Sequence, residues 1–485
     1  MTDPRASDQL LIFIDLLQKE LERSVIPDPG TEVARNTVTL AAKQLRRLLV
    51  EKIDVPEFRR EAIRSYQSLL PGLRAVLSGD QCEQLDRTLR AGDADDWAPM
   101  DVLLCGVVTA LLARNDTDAN RLAGQLTAID AQLRDRKEQA LVELSKPRVS
   151  RNTAAAAADS ADEERARLHR FLMREFPRET ALKIVDIKQI PGGFSKHTLF
   201  IHLENTIELP DCLVMRRDGP FAGSSVVAEY PVIQTLHAAG VAAPRPYAID
   251  ASGEVYGKPF ILFARAEGSV IGDFVAVKTP IREVALDLAK KLARLHTAPF
   301  GYIESHLAGG TISVTERMAG EIEICEATWK SVIHEKSYVV QAALDWLKRN
   351  IELAEGRRAV VHRDIGVHNM LISNHEITAI LDWETVAVGN PAEDVGCAYY
   401  TAIQMIEWPE FLSAYEAAAG FTVDRRQLDF YMLWSAVRIL PTICKNVDPV
   451  FRGGRGSLAD YYLGDQVAQI LIQRIASKLT EMLVQ

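Results

Sequence analysis

Residues 360–372 read Val-Val-His-Arg-Asp-Ile-Gly-Val-His-Asn-Met-Leu-Ile, a polar loop between two apolar runs. Thirteen positions after Asn369, a second apolar run ends in Asp382, and Glu384 follows two residues later. Short apolar runs bounded by polar residues are typical of buried strands. We therefore expect a loop followed by a hairpin, which brings the side chains of Asp364, Asn369 and Asp382 around one point.

These side chains suit the transfer of a phosphoryl group. That reaction needs a carboxylate to orient the attacking hydroxyl and accept its proton, and oxygen ligands for the Mg²⁺ that bridges the phosphates. The spacing from Asp364 to Asn369 fits the His-Arg-Asp-x-x-x-x-Asn catalytic loop of kinases. We expect Asp364 to act as the base and Asn369 and Asp382 to bind the metal. Glu384 either reaches a second Mg²⁺ or orients Asp382.

From about residue 165 to 480, the chain resembles the aminoglycoside phosphotransferase-like kinases, a family that includes choline kinases. Besides the residues above, the resemblance rests on Asp382-Trp383-Glu384, where protein kinases have Asp-Phe-Gly, and on Gly389-Asn390-Pro391 with Asp394. It implies an α+β, two-lobed protein-kinase-like fold with a small β-rich lobe and a large helical lobe. The stretch between Asp382 and Asp394 is too short for the activation segment of a protein kinase.

Two further candidate catalytic residues precede the base. His362 is expected to fix the loop rather than to carry a proton. Family members usually have glycine at the position of Arg363. This arginine is expected either to add a positive charge beside the transfer site or to point into an acidic neighbour. Because every catalytic carboxylate is retained, we expect an active enzyme. Asp394 is expected to hydrogen-bond the catalytic loop.

The small lobe is expected to hold ATP, with GTP left open. A turn between two predicted strands could lay its backbone N–H groups over phosphates. The resemblance implies that Arg216 at the end of the third strand contacts the phosphates and that Glu229 on the next helix holds it in place. Arg217 is the competing choice, but strand alternation puts it on the opposite face. The run 260–264 would be the hinge that meets adenine. The candidate nucleotide contacts are Gly192, Gly193, Phe194, Ser195, Arg216, Glu229, Leu262, Phe263 and Ala264.

Composition divides the chain into four regions. Residues 1–146 have apolar residues at helical spacing, which predicts an all-helical accessory domain. Residues 147–164 are polar and alanine-rich, which is typical of a linker. Residues 165–265 would form the small lobe, and residues 266–485 the helical lobe with the catalytic loop and the acceptor site. The predicted strands are 182–187, 198–203 and 212–216, and the predicted helices that flank them are 163–176 and 226–239. A further apolar run covers 259–263.

The whole-chain composition excludes several classes. The 485 residues are 47% hydrophobic and 25% charged, which is ordinary for a globular protein and excludes collagen or wholesale disorder. A net charge of −10 opposes broad binding to nucleic acid. The six cysteines include no close pair, so neither a disulfide scaffold nor a cysteine zinc site is expected. The sequence has no apolar run of about 20 residues and no signal-peptide pattern at its N-terminus. We therefore expect a soluble cytoplasmic protein without a membrane partner.

The acceptor is expected to be an alcohol group of a small molecule. A basic loop with Lys445, Arg452 and Arg455 mildly favours an anionic acceptor. Arg216 and the turn 192–195 resemble the branch linked with acyl-CoA dehydrogenases, which phosphorylates hydroxyacyl-CoA thioesters. Two alternatives remain open, namely an aminoglycoside-type antibiotic kinase and a non-catalytic nucleotide-binding regulatory module. If the helical N-terminal domain self-associates, the protein would be a homodimer.

Overall fold

A computed structural model of the protein describes residues 55–91, 98–114, 116–143, 161–190, 196–218, 225–306, 313–333, 335, 337–451 and 463–484. In chain order the α-helices are α1 Val55–Leu73, α2 Gly79–Ala91, α3 Ala98–Arg114, α4 Thr117–Glu143, α5 Ala161–Glu175, α6 Val226–Ala238, α7 Arg282–His296, α8 Gly301–His306, α9 Val314–Ser331, α10 Tyr338–Arg349, α11 Ala392–Ala402, α12 Trp408–Ala419, α13 Arg425–Val437, α14 Leu440–Phe451 and α15 Ala468–Val484. The strands are β1 Lys183–Ile190, β2 Lys196–Glu204, β3 Cys212–Asp218, β4 Pro246–Asp250, β5 Phe260–Ala264, β6 Ala359–Val361, β7 Met370–Ser373, β8 Glu376–Ile380 and β9 Ala387–Gly389. This confirms a mixed α+β fold.

The main sheet has the strand order β1-β2-β3-β5-β4, and each neighbouring pair is antiparallel. Its strands β1, β2 and β3 confirm the three predicted strands, and α5 and α6 confirm the two flanking helices. The apolar run 259–263 forms β5. β4 has no counterpart among the predicted strands. Its five residues, Pro-Tyr-Ala-Ile-Asp, begin with proline, which lowers the strand signal, and their alternation is short.

The two faces of this sheet have different partners. Successive side chains of a strand point to opposite faces. Leu199 and Ile201 of β2 and Leu213 and Met215 of β3 lie in the apolar core with α5. The alternate residues of β2 and β3 therefore share the other face, and Arg216 lies directly opposite Thr198 there. This second face carries the charged groups of the candidate site.

The start of α6 is held by side-chain hydrogen bonds. The Ser225 hydroxyl caps the helix by accepting the backbone N–H of Val227, at 3.3 Å. The carboxylate of Asp218, at the end of β3, accepts the backbone N–H of Val226 and the Ser225 hydroxyl. An acid at a helix N-terminus is favourable because it faces the unpaired N–H groups and the positive end of the helix dipole. β3 and the first turn of α6, which carries Glu229, are thereby tied together.

The catalytic loop is fixed at both ends by short strand pairs. β6 pairs with β9, and β7 pairs with β8 in a hairpin. Between the two pairs, the backbone N–H of Leu381 donates to the carbonyl of Asn369 at 2.7 Å. This bond joins the end of the loop to the residue before Asp382. The predicted loop and hairpin are thus confirmed.

The chain forms two compact units, which we name by their content. The helical unit contains residues 1–155, 315–353 and 432–485, and the sheet unit contains residues 156–314 and 354–431. Every candidate site residue that the structure describes lies in the sheet unit. None of the described helices has the length and apolarity that a bilayer crossing requires.

Within the helical unit, the early helices pack on segments from much later in the chain. α4 packs on α15, and α3 packs on α10. The buried hydroxyls of Tyr66 and Tyr338 lie 3.3 Å apart. The two compact units are built from segments that are distant in the sequence. The four-region division at residues 146, 164 and 265 stays a prediction. Residues 147–160 of the expected linker lie outside the described residues, and α5 begins at Ala161.

Candidate active site

Asp364 and Asn369 lie in direct contact, as the loop pattern predicts. The Asn369 side-chain Nδ2 donates to the Asp364 carboxylate at 2.7 Å and to the Asp364 backbone carbonyl at 3.1 Å. With Nδ2 committed to these two bonds, the Asn369 side-chain oxygen is the group left to bind a cation. The Asp364 side chain remains 25% exposed, so its carboxylate is accessible to a hydroxyl group.

His362 is buried and holds the loop through its ring. Its Nδ1 accepts the backbone N–H of Asp364 at 3.2 Å, and its Nε2 donates to the carbonyl of Leu381 at 2.8 Å. These partners assign a neutral imidazole with the proton on Nε2. The ring also packs edge-on against Trp383, with centroids 4.5 Å apart. Since both ring nitrogens contact backbone, the geometry favours the loop-fixing role.

Arg363 points into an acidic neighbour. Its Nε donates to the buried Glu393 carboxylate at 2.7 Å, and its Nη1 lies 3.4 Å from the carbonyl of Thr385. Its φ of +73° lies in the left-handed region, which glycine adopts without strain. This backbone angle gives a physical reason for the glycine usual in the family. Arg363 adopts the same backbone conformation with some strain, and its ion pair with Glu393 offsets the energetic cost of this strain.

We predict that Arg363→Gly lowers the free energy of unfolding by about 2 kcal/mol. Relieving the left-handed backbone gains about 1–2 kcal/mol, whereas leaving Glu393 buried without this partner costs about 3–5 kcal/mol. Arg363→Ala removes the same ion pair without relieving the backbone, so it should be less stable than the glycine variant by about 1 kcal/mol. Urea denaturation of the three proteins checks this order. An alanine variant at least as stable as the glycine variant would contradict it.

Asp394 fixes the catalytic loop by binding its backbone. Its two carboxylate oxygens accept the backbone N–H groups of His362 and Arg363 at 2.7 and 2.6 Å. The same carboxylate lies 3.1 Å from His296 Nε2, and the other nitrogen of His296 lies 2.7 Å from the Tyr415 hydroxyl. Burial raises the pKa of Tyr415, which keeps this hydroxyl protonated. The expected scaffold role of Asp394 is thus confirmed by its contacts.

Arg216, and not Arg217, faces the catalytic loop. Its Nη2 donates to Asp382 Oδ1 at 2.8 Å, while Arg217 lies over the ring of Tyr256 on the other face. Burial alone would lower the pKa of Arg216, but the carboxylates of Asp382 and Glu229 outweigh burial and raise it. The guanidinium therefore stays charged. Asp382 itself has a φ of +63°, and its carboxylate contacts Arg216 of β3.

Lys196 is the site residue that the sequence analysis missed. Its ammonium contacts the carboxylate of Glu229 and lies 3.1 Å from Glu384 Oε2, and its side chain is 1% exposed. Arg216 Nη1 lies 4.0 Å from Glu229, so the nearer partner of Glu229 is the lysine. Burial raises the pKa of Glu229, and the two cations partly offset this effect. The signal available in the sequence was a lysine directly after the glycine turn 192–195 and just before the predicted strand 198–203.

The remaining candidate nucleotide contacts divide into two groups. Gly192, Gly193, Phe194 and Ser195 lie outside the described residues. Leu262 and Phe263 lie inside the sheet, where β5 pairs with β3 on one side and β4 on the other. Their backbone groups are committed to this ladder, which does not support backbone contacts with adenine from these two residues. Ala264 ends the strand and donates its N–H to the carbonyl of Arg245 at 2.9 Å.

The donor set fits the predicted magnesium ion. Mg²⁺ prefers oxygen ligands and is usually bound by one or two carboxylates together with phosphate oxygens. Asp382 and Glu384 supply two partly exposed carboxylates, and Asn369 supplies an amide oxygen. In this structure each of the two carboxylates is paired with a cation, Asp382 with Arg216 and Glu384 with Lys196.

Residues 186–431, just over half of the chain, match the model of the phosphotransferase enzyme family. The chain belongs to this family. Its fold is similar to a solved structure from Ralstonia eutropha that is assigned to the aminoglycoside phosphotransferases. The two are 18% identical, the match covers 65% of this chain and 98% of that one, and the TM-score is 0.51. At this level of identity the likeness concerns the fold alone, and it confirms the expected kinase-like fold.

Two curated relatives have different names. Acyl-CoA dehydrogenase family member 11 of Rattus norvegicus is 21% identical over 319 residues, which cover 60% of this chain and 40% of that protein. Hygromycin-B 4-O-kinase of Escherichia coli is 26% identical over 170 residues, which cover 34% of this chain and 50% of that protein. The matched region therefore spans half or less of each of these relatives.

Proposed function

We propose that this protein is an ATP- and Mg²⁺-dependent phosphotransferase that phosphorylates a hydroxyl group of a small molecule. The observation that carries the proposal is the contact between the accessible Asp364 carboxylate and Asn369 on a loop fixed by Asp394. This contact brings a proton acceptor beside an oxygen donor suited to Mg²⁺. Membership of the phosphotransferase family gives the same reaction class.

The proposed reaction is a direct, in-line transfer without a phosphoenzyme. Asp364 orients the acceptor hydroxyl and accepts its proton as the bond to phosphorus forms. Asn369 and Asp382 would hold Mg²⁺, which supplies neutralising charge on the phosphate oxygens. Arg216 would contact the phosphates, because a guanidinium offers a planar pair of donors for phosphate oxygens. His362 and Asp394 keep the loop in register by binding its backbone.

For the acceptor, we propose a hydroxyacyl-CoA thioester. The similarity to an acyl-CoA dehydrogenase family member supports this class. Beside the catalytic loop, Phe274 packs on His368 at 5.2 Å, and His368 Nε2 lies 3.7 Å from the Asp364 carboxylate. Phe274 thus supplies an apolar ring one side chain away from the base, where an acyl chain would pack. Phosphorylation would turn the hydroxyl, a poor leaving group, into a good one for a later elimination.

The second candidate is an aminoglycoside-type antibiotic kinase. The similarity to hygromycin-B 4-O-kinase favours it. Such an enzyme needs clustered carboxylates to bind ammonium groups of its substrate. In the part of the loop region that we describe, the acids Glu393 and Asp394 already bind Arg363 and the loop backbone. We therefore rank this alternative second.

The test is phosphate transfer from ATP and Mg²⁺ to a panel of alcohols, read by mass. The panel contains hydroxyacyl-CoA thioesters, free hydroxy acids, amino-alcohols and aminoglycosides, and each reaction is repeated with GTP. We expect a phosphorylated hydroxyacyl-CoA and an equal amount of ADP. Transfer to aminoglycosides alone would favour the second candidate. If ATP binds but no acceptor gains phosphate, the protein is better described as a nucleotide-binding regulatory module.

Two further expectations stay proposals. A cytoplasmic location would supply ATP and Mg²⁺. A homodimer through the N-terminal helices would need an exposed apolar face on them. Among the described side chains of α3 and α4, Leu104, Leu111 and Leu126 are fully buried in the chain itself, so they do not form such a face.

A further inference from the structure

The charged face of the sheet carries two cationic side chains, the expected phosphate contact Arg216 and, in addition, Lys196. Lys196 lies opposite Asp218, and Thr198 lies opposite Arg216, so the lysine and the arginine are diagonal neighbours on one face. A lysine this deeply buried is rare, because removing an ammonium group from water is costly unless carboxylates compensate. Here Glu229 and Glu384 compensate it.

The pairing also places each cation beside a partly exposed carboxylate of the donor set that fits Mg²⁺. Arg216 binds Asp382, and Lys196 binds Glu384. If Mg²⁺ bound to both carboxylates, Arg216 and Lys196 would each lose a partner. The phosphate oxygens that arrive with the metal are the natural replacement, because charge-assisted hydrogen bonds to phosphate are strong. Glu229 remains to hold the lysine in place.

We propose that Lys196 is a second phosphate-binding residue, which rests on the proposed function of this site. Its ammonium, anchored by Glu229, contacts the terminal phosphate oxygens of the nucleotide beside Arg216. In the free protein it neutralises Glu384. The ligand class is thus a nucleoside triphosphate with Mg²⁺, and the lysine recognises the phosphates beyond the first.

The test compares the binding of ATP and AMP, each with Mg²⁺, to the full chain by calorimetry. Lys196→Met keeps the length of the side chain and removes its charge. We expect the affinity for ATP to fall roughly 30-fold and the affinity for AMP to change less than about twofold, since AMP lacks the terminal phosphates. Lys188→Met, at an exposed position of β1, is the matched control and should leave both affinities unchanged. Unchanged ATP affinity in Lys196→Met, or an equal loss for both nucleotides, would overturn the proposal.

A second variant separates binding from folding. Lys196→Met leaves Glu229 buried with its nearer partner removed, so Lys196→Met with Glu229→Gln removes both charges together. Thermal unfolding should place the double variant closer to the wild type than the single variant. If the folded double variant still binds ATP weakly and AMP normally, the lysine acts on the phosphates. If it binds ATP like the wild type, the lysine only neutralises Glu229 and the proposal fails.

These binding measurements are independent of turnover. A wild-type protein that binds ATP but phosphorylates no alcohol would refute the proposed phosphotransferase and leave the assignment of Lys196 intact. A wild-type protein with full transfer activity and no selective ATP defect in Lys196→Met would refute the assignment alone.

Discussion

We expect Asp364→Asn to lower kcat by about 10³-fold and to change the affinity for ATP by less than about threefold. The amide keeps the size of the side chain, and its oxygen can still accept the hydrogen bond from Asn369 that Asp364 accepts at 2.7 Å. What it loses is the capacity to accept the proton of the attacking hydroxyl. Because proton acceptance matters only as the reaction proceeds, the loss should appear in kcat and not in nucleotide binding.

The measurement is steady-state transfer to the best acceptor of the panel, together with calorimetric binding of ATP and Mg²⁺. Asp211→Asn, at an exposed position between β2 and β3, is the control for a generic loss of one negative charge. If Asp364→Asn retained activity within about tenfold of the wild type, Asp364 would not be the base. An equal loss of ATP affinity would mean that the substitution had disturbed the loop itself.

The polar residues of the catalytic loop could be predicted from the sequence because their spacing is local. Asp364 and Asn369 are five residues apart, and a short hairpin returns the chain to Asp382, so sequence neighbours become spatial neighbours. The same holds for the two hydrogen bonds that Asp394 accepts from the loop backbone, which the family pattern suggests and the contacts confirm. Each of these features depends on a short stretch of chain.

Lys196 could not be predicted in the same way because its role depends on strand register. The sequence places it after a glycine turn, but its nearness to Arg216 follows from the pairing of β2 with β3. Glu229 was expected to hold Arg216, and the register instead brings Lys196 nearer to it. A shift of one residue along β2 would have turned the lysine to the apolar face.

The helical unit shows the same limit on a larger scale. Apolar spacing predicts helices such as α4, but it does not identify the helix against which each of them packs. α4 packs on α15, which begins more than 300 residues later in the chain. Which helices pack together depends on the shape and burial of their whole apolar faces. Composition can therefore locate changes along the sequence, but it cannot show which distant segments pack into one compact unit.

Asp382→Asn should lower kcat by about 10²-fold or more and raise the Mg²⁺ concentration needed for half-maximal activity. A metal ion on the phosphates contributes several kcal/mol to such a reaction, and an amide oxygen is a weaker ligand for Mg²⁺ than a carboxylate. The ion pair with Arg216 at 2.8 Å is also lost, but the amide oxygen can still accept a hydrogen bond from the guanidinium. The dominant effect is therefore on the metal.

The measurement is a Mg²⁺ titration of activity at saturating ATP for the wild type, Asp382→Asn and Glu384→Gln. An unchanged Mg²⁺ requirement in Asp382→Asn would refute its role as a ligand. The glutamine variant decides between the two roles left open for Glu384. A raised Mg²⁺ requirement makes it a second metal ligand. If Glu384 only orients Asp382, the Mg²⁺ requirement stays the same, because the Glu384 carboxylate, which lies 3.1 Å from Lys196 in the free protein, is then not a metal ligand.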